Sequence, residues 1–412
     1  MKIKYLAINL LPLIQNSKFR IQNYIILFVL LTACSSPQDT STIISQSSGQ
    51  APYLTKDHLG NTVLSWTEKD SSGDTWVYYA TAEKESKNFG SALKVPASRG
   101  AAIHDESMNK LAFAANGNMI AVFEKKMPSD KNKYAGQILY SVSEDQGKNW
   151  TEPLPIHSDT TAEFSRSFFD LALLPDGEVG AVWLDGRLQL GKKGTTLFFT
   201  KTENGKRFIE DKPIGQTVCQ CCRTSFLADE QGMLHVVYRN IISDTIRDMV
   251  HITSSDTGKT FTTPTRISAD NWITDGCPHT GPSIARTAEG LHFTWFTAGG
   301  GTGVYYCRSE DNGRSFTNRL MLGHDARHPQ MANAGETLAI TWDEALQSHT
   351  GIFNRIALHI RYSGLESTTT YLTSDKDRAF YPVLSPHGNG FFVAYTREVD
   401  EKNHVEVQYV GF

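Results

Sequence analysis

Seven times along the chain, a short apolar strand meets a glycine turn and a second apolar strand that ends in a large aromatic. The pairs are Gly60 and Trp66, Gly117 and Phe123, Gly177 and Trp183, Gly232 and Tyr238, Gly290 and Trp295, Gly335 and Trp342, and Gly390 and Tyr395. Each pair reads as a β-hairpin. The aromatics stand 57, 60, 55, 57, 47 and 53 residues apart. That period suits one four-stranded unit per interval, repeated around an axis. After residue 40 nothing reads as a long amphipathic helix.

A second pattern falls between the hairpins. Ser143–Trp150, Ser254–Phe261 and Ser309–Phe316 share the form Ser-x-Asp-x-Gly-x-x-aromatic. In such a turn the Asp accepts backbone N–H groups, the Gly supplies a positive φ and the aromatic packs down as a plug. Degenerate copies stand at Ala82–Phe89 and Lys201–Phe208. On these residues the chain resembles the Asp-box (BNR-repeat) proteins, whose best-known members are the sialidases. The resemblance implies an all-β fold, a single β-propeller. The repeat count gives seven blades, where the sialidases have six, and six is the alternative here. It also implies that the boxes are structural turns on the bottom rim, away from any active face.

The last hairpin, Tyr381–Arg397, is followed by one more strand, Val405–Val410, and then by Phe412. A fourth strand must come from elsewhere, and Thr42-Ile43-Ile44 is the expected donor, which would latch the ring and hide its edges. The start reads as a targeting segment: basic Lys2, Lys4, Lys18 and Arg20, a short apolar core Tyr24–Leu31, then Leu31-Thr32-Ala33-Cys34. The last four residues look like a bacterial lipobox, which implies cleavage before Cys34 and acylation of its thiol. The apolar run is short for a membrane span. The expected organisation is a signal peptide over 1–33, a lipid-anchored tether and closing strand over 34–50, and a sialidase-like propeller over 51–412. Ser35 and Ser36 contain no Asp retention signal, so in a cell with two membranes the outer is favoured over the inner.

Forty Lys and Arg against 44 Asp and Glu leave a formal net charge of −4. With no basic run, a nucleic-acid partner is disfavoured. The expected state is a monomer that touches the membrane through its anchor alone.

Propeller topology sends two sets of loops to one face: those between blades and those joining second and third strands. The default site lies there. The set before first strands holds His104-Asp105-Glu106, Cys219-Gln-Cys221-Cys222-Arg223, Asp275-Gly-Cys277-Pro-His279, Asp325-Ala-Arg327-His328 and Tyr381. The set after second strands holds Asp185-Gly-Arg187, Arg239, Arg247 and Asp343-Glu344. Guanidiniums converging on one funnel suit an acidic ligand, because each can grip a carboxylate through two parallel hydrogen bonds.

Sialidases use an Arg triad for the substrate carboxylate, a Tyr nucleophile activated by a Glu, and an Asp as acid/base. Their first Arg opens an Arg-Ile-Pro motif, where this chain reads Gln50-Ala51-Pro52-Tyr53. For a hydrolytic protein the resemblance makes Arg223, Arg239 and Arg327 the carboxylate ligands, with Arg187 and Arg247 as further ligand-binding candidates. Asp185 or Asp343 is then the proton donor, and Tyr381 the nucleophile. The plainer alternative makes Tyr381 an aromatic lining the channel.

Cys219, Cys221, Cys222, Cys277 and His279 have no counterpart in that motif set. Three readings stand: disulfides tying two neighbouring blades in an oxidising envelope, a soft metal such as Cu or Zn held with His279, His104 or His328, or a redox-active thiol pair. Cys307 reads as a buried apolar residue. The leading function is a cell-envelope protein that binds or hydrolyses an acidic glycan. The alternative is a non-catalytic envelope protein whose Cys/His cluster is structural or metal-binding and whose funnel docks a partner.

Overall fold

The seven hairpin aromatics, Trp66, Phe123, Trp183, Tyr238, Trp295, Trp342 and Tyr395, are at most 1% exposed. Each anchors the second strand of a four-stranded antiparallel meander. Truncating one such ring in a packed core costs about 3–5 kcal/mol. The computed structural model describes residues 41–188, 193–349, 351–362 and 366–412. The leader, Cys34 and the first part of the tether lie outside the described residues.

In chain order the meanders begin with first strands Ser48–Lys56, Lys110–Phe113, Arg166–Leu173, Ser225–Ala228, Ser283–Thr287, Ala326–Ala334 and Ala379–His387. The third and fourth meanders join into one nine-stranded sheet through the single pair Val218↔Asn240. The other five are separate four-stranded sheets. First strands touch in cyclic order, and the seventh touches the first. Residues from all seven line a cavity of ≈ 160 Å³ that includes Tyr53, Lys110, Asp170, Arg223, Ser283, Gln330 and Val383.

The seventh meander takes its outer strand from the other end of the chain. Thr42 pairs with Val407 and Ile43 with Glu406, while Ile44 N–H donates to the Val405 carbonyl at 2.9 Å. Ser45 Oγ accepts from Val405 N–H at 3.0 Å.

The Asp-box turns form as their residues dictate. In the first, Ser143 Oγ accepts from Gly147 N–H at 2.8 Å, and Asp145 Oδ1 accepts from Asn149 N–H at 2.8 Å. Gly147 has φ +86°, and a Cβ there would meet the Tyr79 hydroxyl oxygen at 2.1 Å. The box therefore presses its glycine onto an aromatic of the preceding meander. Gly258 against Phe199 and Gly313 against His251 repeat that contact.

One repeated motif changes the reading of the charged residues. The indole N–H groups of Trp66, Trp183 and Trp342 donate to Glu68 (2.8 Å), Asp185 (3.1 Å) and Glu344 (2.9 Å), each two positions onward. Residues i and i+2 share one face of a strand, so the acid lies beside its ring. Arg166 and Arg187 pair with Asp185, and Arg355 with Glu344. Trp295, Asp270 and Arg319 make the same ring–acid–guanidinium set from other positions.

Candidate functional site

Most of the guanidiniums expected to meet in the funnel are instead parts of the frame. Arg223 is 4% exposed, and its donors go to the carbonyls of Pro282 (3.0 Å), Gly281 (3.3 Å) and Pro329 (3.0 Å) and to Glu106 Oε2 (3.3 Å). Arg239 is 1% exposed, donates to the carbonyls of Arg247, Thr280 and Phe296, and stacks over Trp272. Arg187 is held by Asp185 and Asp211 over the Phe198 ring. Arg247 donates to the Thr274 carbonyl and to Cys219 Sγ. Arg187, Arg223 and Arg239 are thereby occupied by the frame, and Arg247, half-buried, is tied down through Nε and Nη1. Asp185, fully buried between Trp183, Arg166 and Arg187, is likewise no proton donor.

Arg327 differs. It is exposed, and its guanidinium has no acceptor among the described residues, lying 5.4 Å from the Phe296 ring centroid. It begins a bulge in the sixth first strand, where pairing shifts between Arg327 and Gln330. The same bulge interrupts the first strands of meanders one, three and seven. At each bulge a non-glycine residue has positive φ: Ala51 (58°), Phe168 (55°), His328 (52°) and Tyr381 (52°). Such backbone is strained by about 1–3 kcal/mol and re-aims the side chain out of the strand's alternation.

Asp343 holds two of these strained residues together. Its Oδ2 accepts from His328 Nδ1 at 2.6 Å and from Tyr381 N–H at 3.0 Å. The two rings lie 4.2 Å apart, centroid to centroid. His328 Nε2 and the Tyr381 hydroxyl have no hydrogen-bond partner among the described residues. Burial opposes protonation of His328, but the Asp343 carboxylate outweighs it and raises the pKa. Burial raises the Tyr381 pKa, and the charges of Asp105, Asp343 and Glu106 raise it further.

From across the channel comes the loop His104–Ser107. Glu106 is 3% exposed and accepts from Gly281 N–H at 3.0 Å and from Arg223, which fixes the loop against the fifth meander. Asp105 Oδ1 is buried with no hydrogen-bond partner. Burial lifts the Asp105 carboxyl to about 6, although the nearby His328 pulls it down. His104 packs edge-on to Phe168, 5.0 Å between centroids, and stands 6.5 Å from His279. Asp105, His328, Tyr381 and Arg327 thus sit within electrostatic reach at one mouth.

Below this mouth the channel is narrow. Its ≈ 160 Å³ falls well short of the roughly 300 Å³ of ordinary ligand pockets. It holds Lys110, whose ammonium donates to the Phe169 carbonyl at 2.7 Å and lies 3.8 Å from Asp170; burial brings its pKa to about 8. A larger groove of ≈ 560 Å³, lined by Tyr306, Leu322, His359 and Arg361, runs along outer strands of the fifth and sixth meanders, away from the first strands.

The cysteines divide. Cys219, Cys221 and Cys222 are buried together, with Sγ–Sγ distances of 3.7 Å from Cys219 to each of the others. Cys277 and His279 are exposed and do not join them, so the expected four-cysteine bridge between blades is not formed. All five described cysteines are free thiols, and Cys307 is buried at 1% exposure.

Asp105 and Glu106 carry no site role on sequence grounds, and His328 only that of a metal ligand. The signal lay in His104-Asp105-Glu106, in the loop before the second meander's first strand, and in His328-Pro329, at the bulge of the sixth.

The fold is shared with proteins of several activities. The lectin BP39L from Burkholderia pseudomallei is 9% identical, with 89% of this chain and 96% of that chain covered at a TM-score of 0.60. The polysaccharide lyase Uly1 is 12% identical over 89% and 90% at 0.56. The Hadza microbial sialidase Hz136 is 14% identical over 82% and 73% at 0.51. At such identities the likeness is one of fold. No curated protein matches the chain. The family model described as "BNR repeat-like domain" matches residues 62–322, which span all three Asp-boxes and most of the meanders, and the chain belongs to that family.

Proposed function

We propose that this protein binds an acidic glycan at the channel mouth and acts on it by proton transfer. The observation that carries the reading is the meeting of a partnerless buried carboxylate oxygen on Asp105, the His328–Asp343 pair, Tyr381 and the exposed Arg327. A buried carboxylate with a raised pKa is costly to keep, and such groups cluster at functional sites. Lectin, lyase and sialidase names among proteins of similar fold support a glycan as the ligand class. Arg327 would hold the sugar carboxylate. Asp105, titrating near 6, is suited to donate a proton.

Tyr381 remains the candidate nucleophile for hydrolysis. Its raised pKa keeps the phenol protonated near neutrality and makes it a better donor than attacker. That observation favours a second chemistry, elimination, in which His328 Nε2 removes a proton from the sugar and Tyr381 returns one to the leaving oxygen. The scaffold we propose is a seven-bladed propeller, supported by the cyclic contacts of seven first strands. The sequence Leu31-Thr32-Ala33-Cys34 supports a lipid on Cys34, and the lack of Asp in Ser35-Ser36 is the ground for an outer-membrane location.

The test is to incubate the full-length protein with sialylated and uronate-containing oligosaccharides. New reducing ends measure cleavage, and the ultraviolet absorbance of an unsaturated sugar distinguishes elimination from hydrolysis. Tyr381→Phe and His328→Gln should abolish either product while binding persists. Binding without product would leave the non-catalytic alternative, and neither binding nor product across the panel would sink the proposal.

A further inference from the structure

The thiols of Cys219, Cys221 and Cys222 take no part in the mouth, yet the chain gathers them with care. Cys219 N–H donates to the Arg239 carbonyl at 2.9 Å, fixing the start of the turn beside the fourth meander. The three side chains then turn into an apolar cluster with Leu184, Leu197, Phe226 and Ile241, and are 0%, 6% and 1% exposed. We propose that they bind a single Cu(I) ion as three thiolates.

Geometry supports the site. The three sulfurs lie within 4.8 Å of one another, at 3.7 Å for the two pairs that include Cys219. Three sulfurs each about 2.3 Å from a central ion stand roughly 4 Å apart, so the cluster needs little movement to close on a metal. No His or carboxylate joins them among the described residues. Structural zinc takes four protein ligands, whereas soft thiolates alone suit Cu(I). Burial leaves little room for water as a fourth ligand.

Charge supports the choice of ion. Three thiolates around Cu(I) carry a net charge of 2−, which is expensive in an apolar core unless neutralised. Arg247 Nη1 lies 3.0 Å from Cys219 Sγ, and the Arg239 guanidinium, buried in the adjoining strand, has an Nε with no partner. Two fixed guanidiniums balance the complex. On binding, each coordinating thiol gives its proton to solvent and no electron is transferred.

The experiment uses the full-length protein, reduced and handled without oxygen, and titrated with Cu(I) against a chromophoric Cu(I) chelator. The expected result is one retained equivalent per chain, with sulfur-only scattering around copper in X-ray absorption. Cys219→Ser and Cys221→Ser should weaken retention roughly tenfold or more, while Cys277→Ser and His279→Ala leave it unchanged. Because serine in this core risks unfolding, the wild type supplies a second readout: with Cys277 alkylated beforehand, the ultraviolet thiolate-to-Cu(I) absorbance should still grow to one equivalent and stop. Failure of the reduced protein to retain Cu(I), retention that depends on Cys277 or His279, or a native disulfide within the cluster seen by intact mass would each overturn the assignment.

Discussion

At the scale of single residues, two side chains at the mouth make opposite demands. Asp105 is held with a carboxyl at about 6, against an ordinary value of 3.8. The folded state therefore keeps a proton that the unfolded chain has released, and stability falls as pH rises from about 4 through 6. Asp105→Asn should remove that slope. The variant should match the parent near pH 3 and exceed it near pH 8 by on the order of 2 kcal/mol in denaturant titrations. Equal stabilities at both pH values would mean that the carboxylate is not desolvated. In the proposed site Arg327 would be the ligand-facing counterpart. Arg327→Ala should weaken binding of an acidic oligosaccharide by about tenfold or more, and Arg327→Lys should fail to restore it, because an ammonium cannot reproduce the two-pronged contact. Calorimetric titration showing unchanged affinity in both variants would remove Arg327 from the site. Arg223→Ala, in contrast, should first lower stability, since three carbonyls lose their side-chain donor and buried Glu106 loses its neutralising charge.

At the scale of elements, the Asp-box is a packing device as much as a turn. Gly147→Ala places a methyl group on a backbone of φ +86° and against the Tyr79 hydroxyl. The two costs, about 1–2 kcal/mol for left-handed backbone and about 1–3 kcal/mol for overpacking, act together. Gly335→Ala is the matched control, with φ +56° and no atom within 4 Å of the added Cβ, so it should show the backbone cost alone. Similar urea midpoints for the two variants would argue against the contact between adjacent meanders. The ring–acid–guanidinium sets act at the same level. Trp342→Phe keeps an apolar ring but leaves Glu344 without its indole donor, and should destabilise by about 1–3 kcal/mol.

For the whole molecule, the strand Thr42–Ile43 and the last strand of the chain meet in one sheet. The joining strand is short, and Ile43 is 54% exposed, so its apolar burial contributes little. Its effect is to pair the edge of the last meander and tie the N-terminal segment to the C-terminal strand. Deleting residues 41–46 removes the Thr42–Val407 and Ile43–Glu406 pairing, the Ser45 contact to Val405 and the Gln46 contact to Glu68. The thermal midpoint should fall by several degrees, and the unpaired edge should promote association. A truncated protein that melts with the parent and stays monomeric would show that the strand is dispensable.

The sequence alone settled what repeats. Glycine turns, terminal aromatics and Asp-boxes are local devices, each decided by conformational freedom, burial and short-range hydrogen bonds over a few residues, so they are legible along the chain itself. The strand character of Thr42-Ile43 is legible as well in its β-branched residues, and it pairs with Val407 and Glu406. The destination of each charge was not local. Arg223, Arg239, Arg187 and Arg247 stand in the right loops, but whether a guanidinium faces ligand or frame depends on which carbonyls and carboxylates approach it from other meanders. Glu106 reaches Gly281, and Asp343 clamps His328 beside Tyr381, only because the sheets pack around one channel. The same packing joins Cys219, Cys221 and Cys222 and leaves Cys277 outside. Hydrogen-bond satisfaction in a buried, low-dielectric interior is decided by every neighbour at once, and so the tertiary structure alone sorted supporting charges from those left free to act.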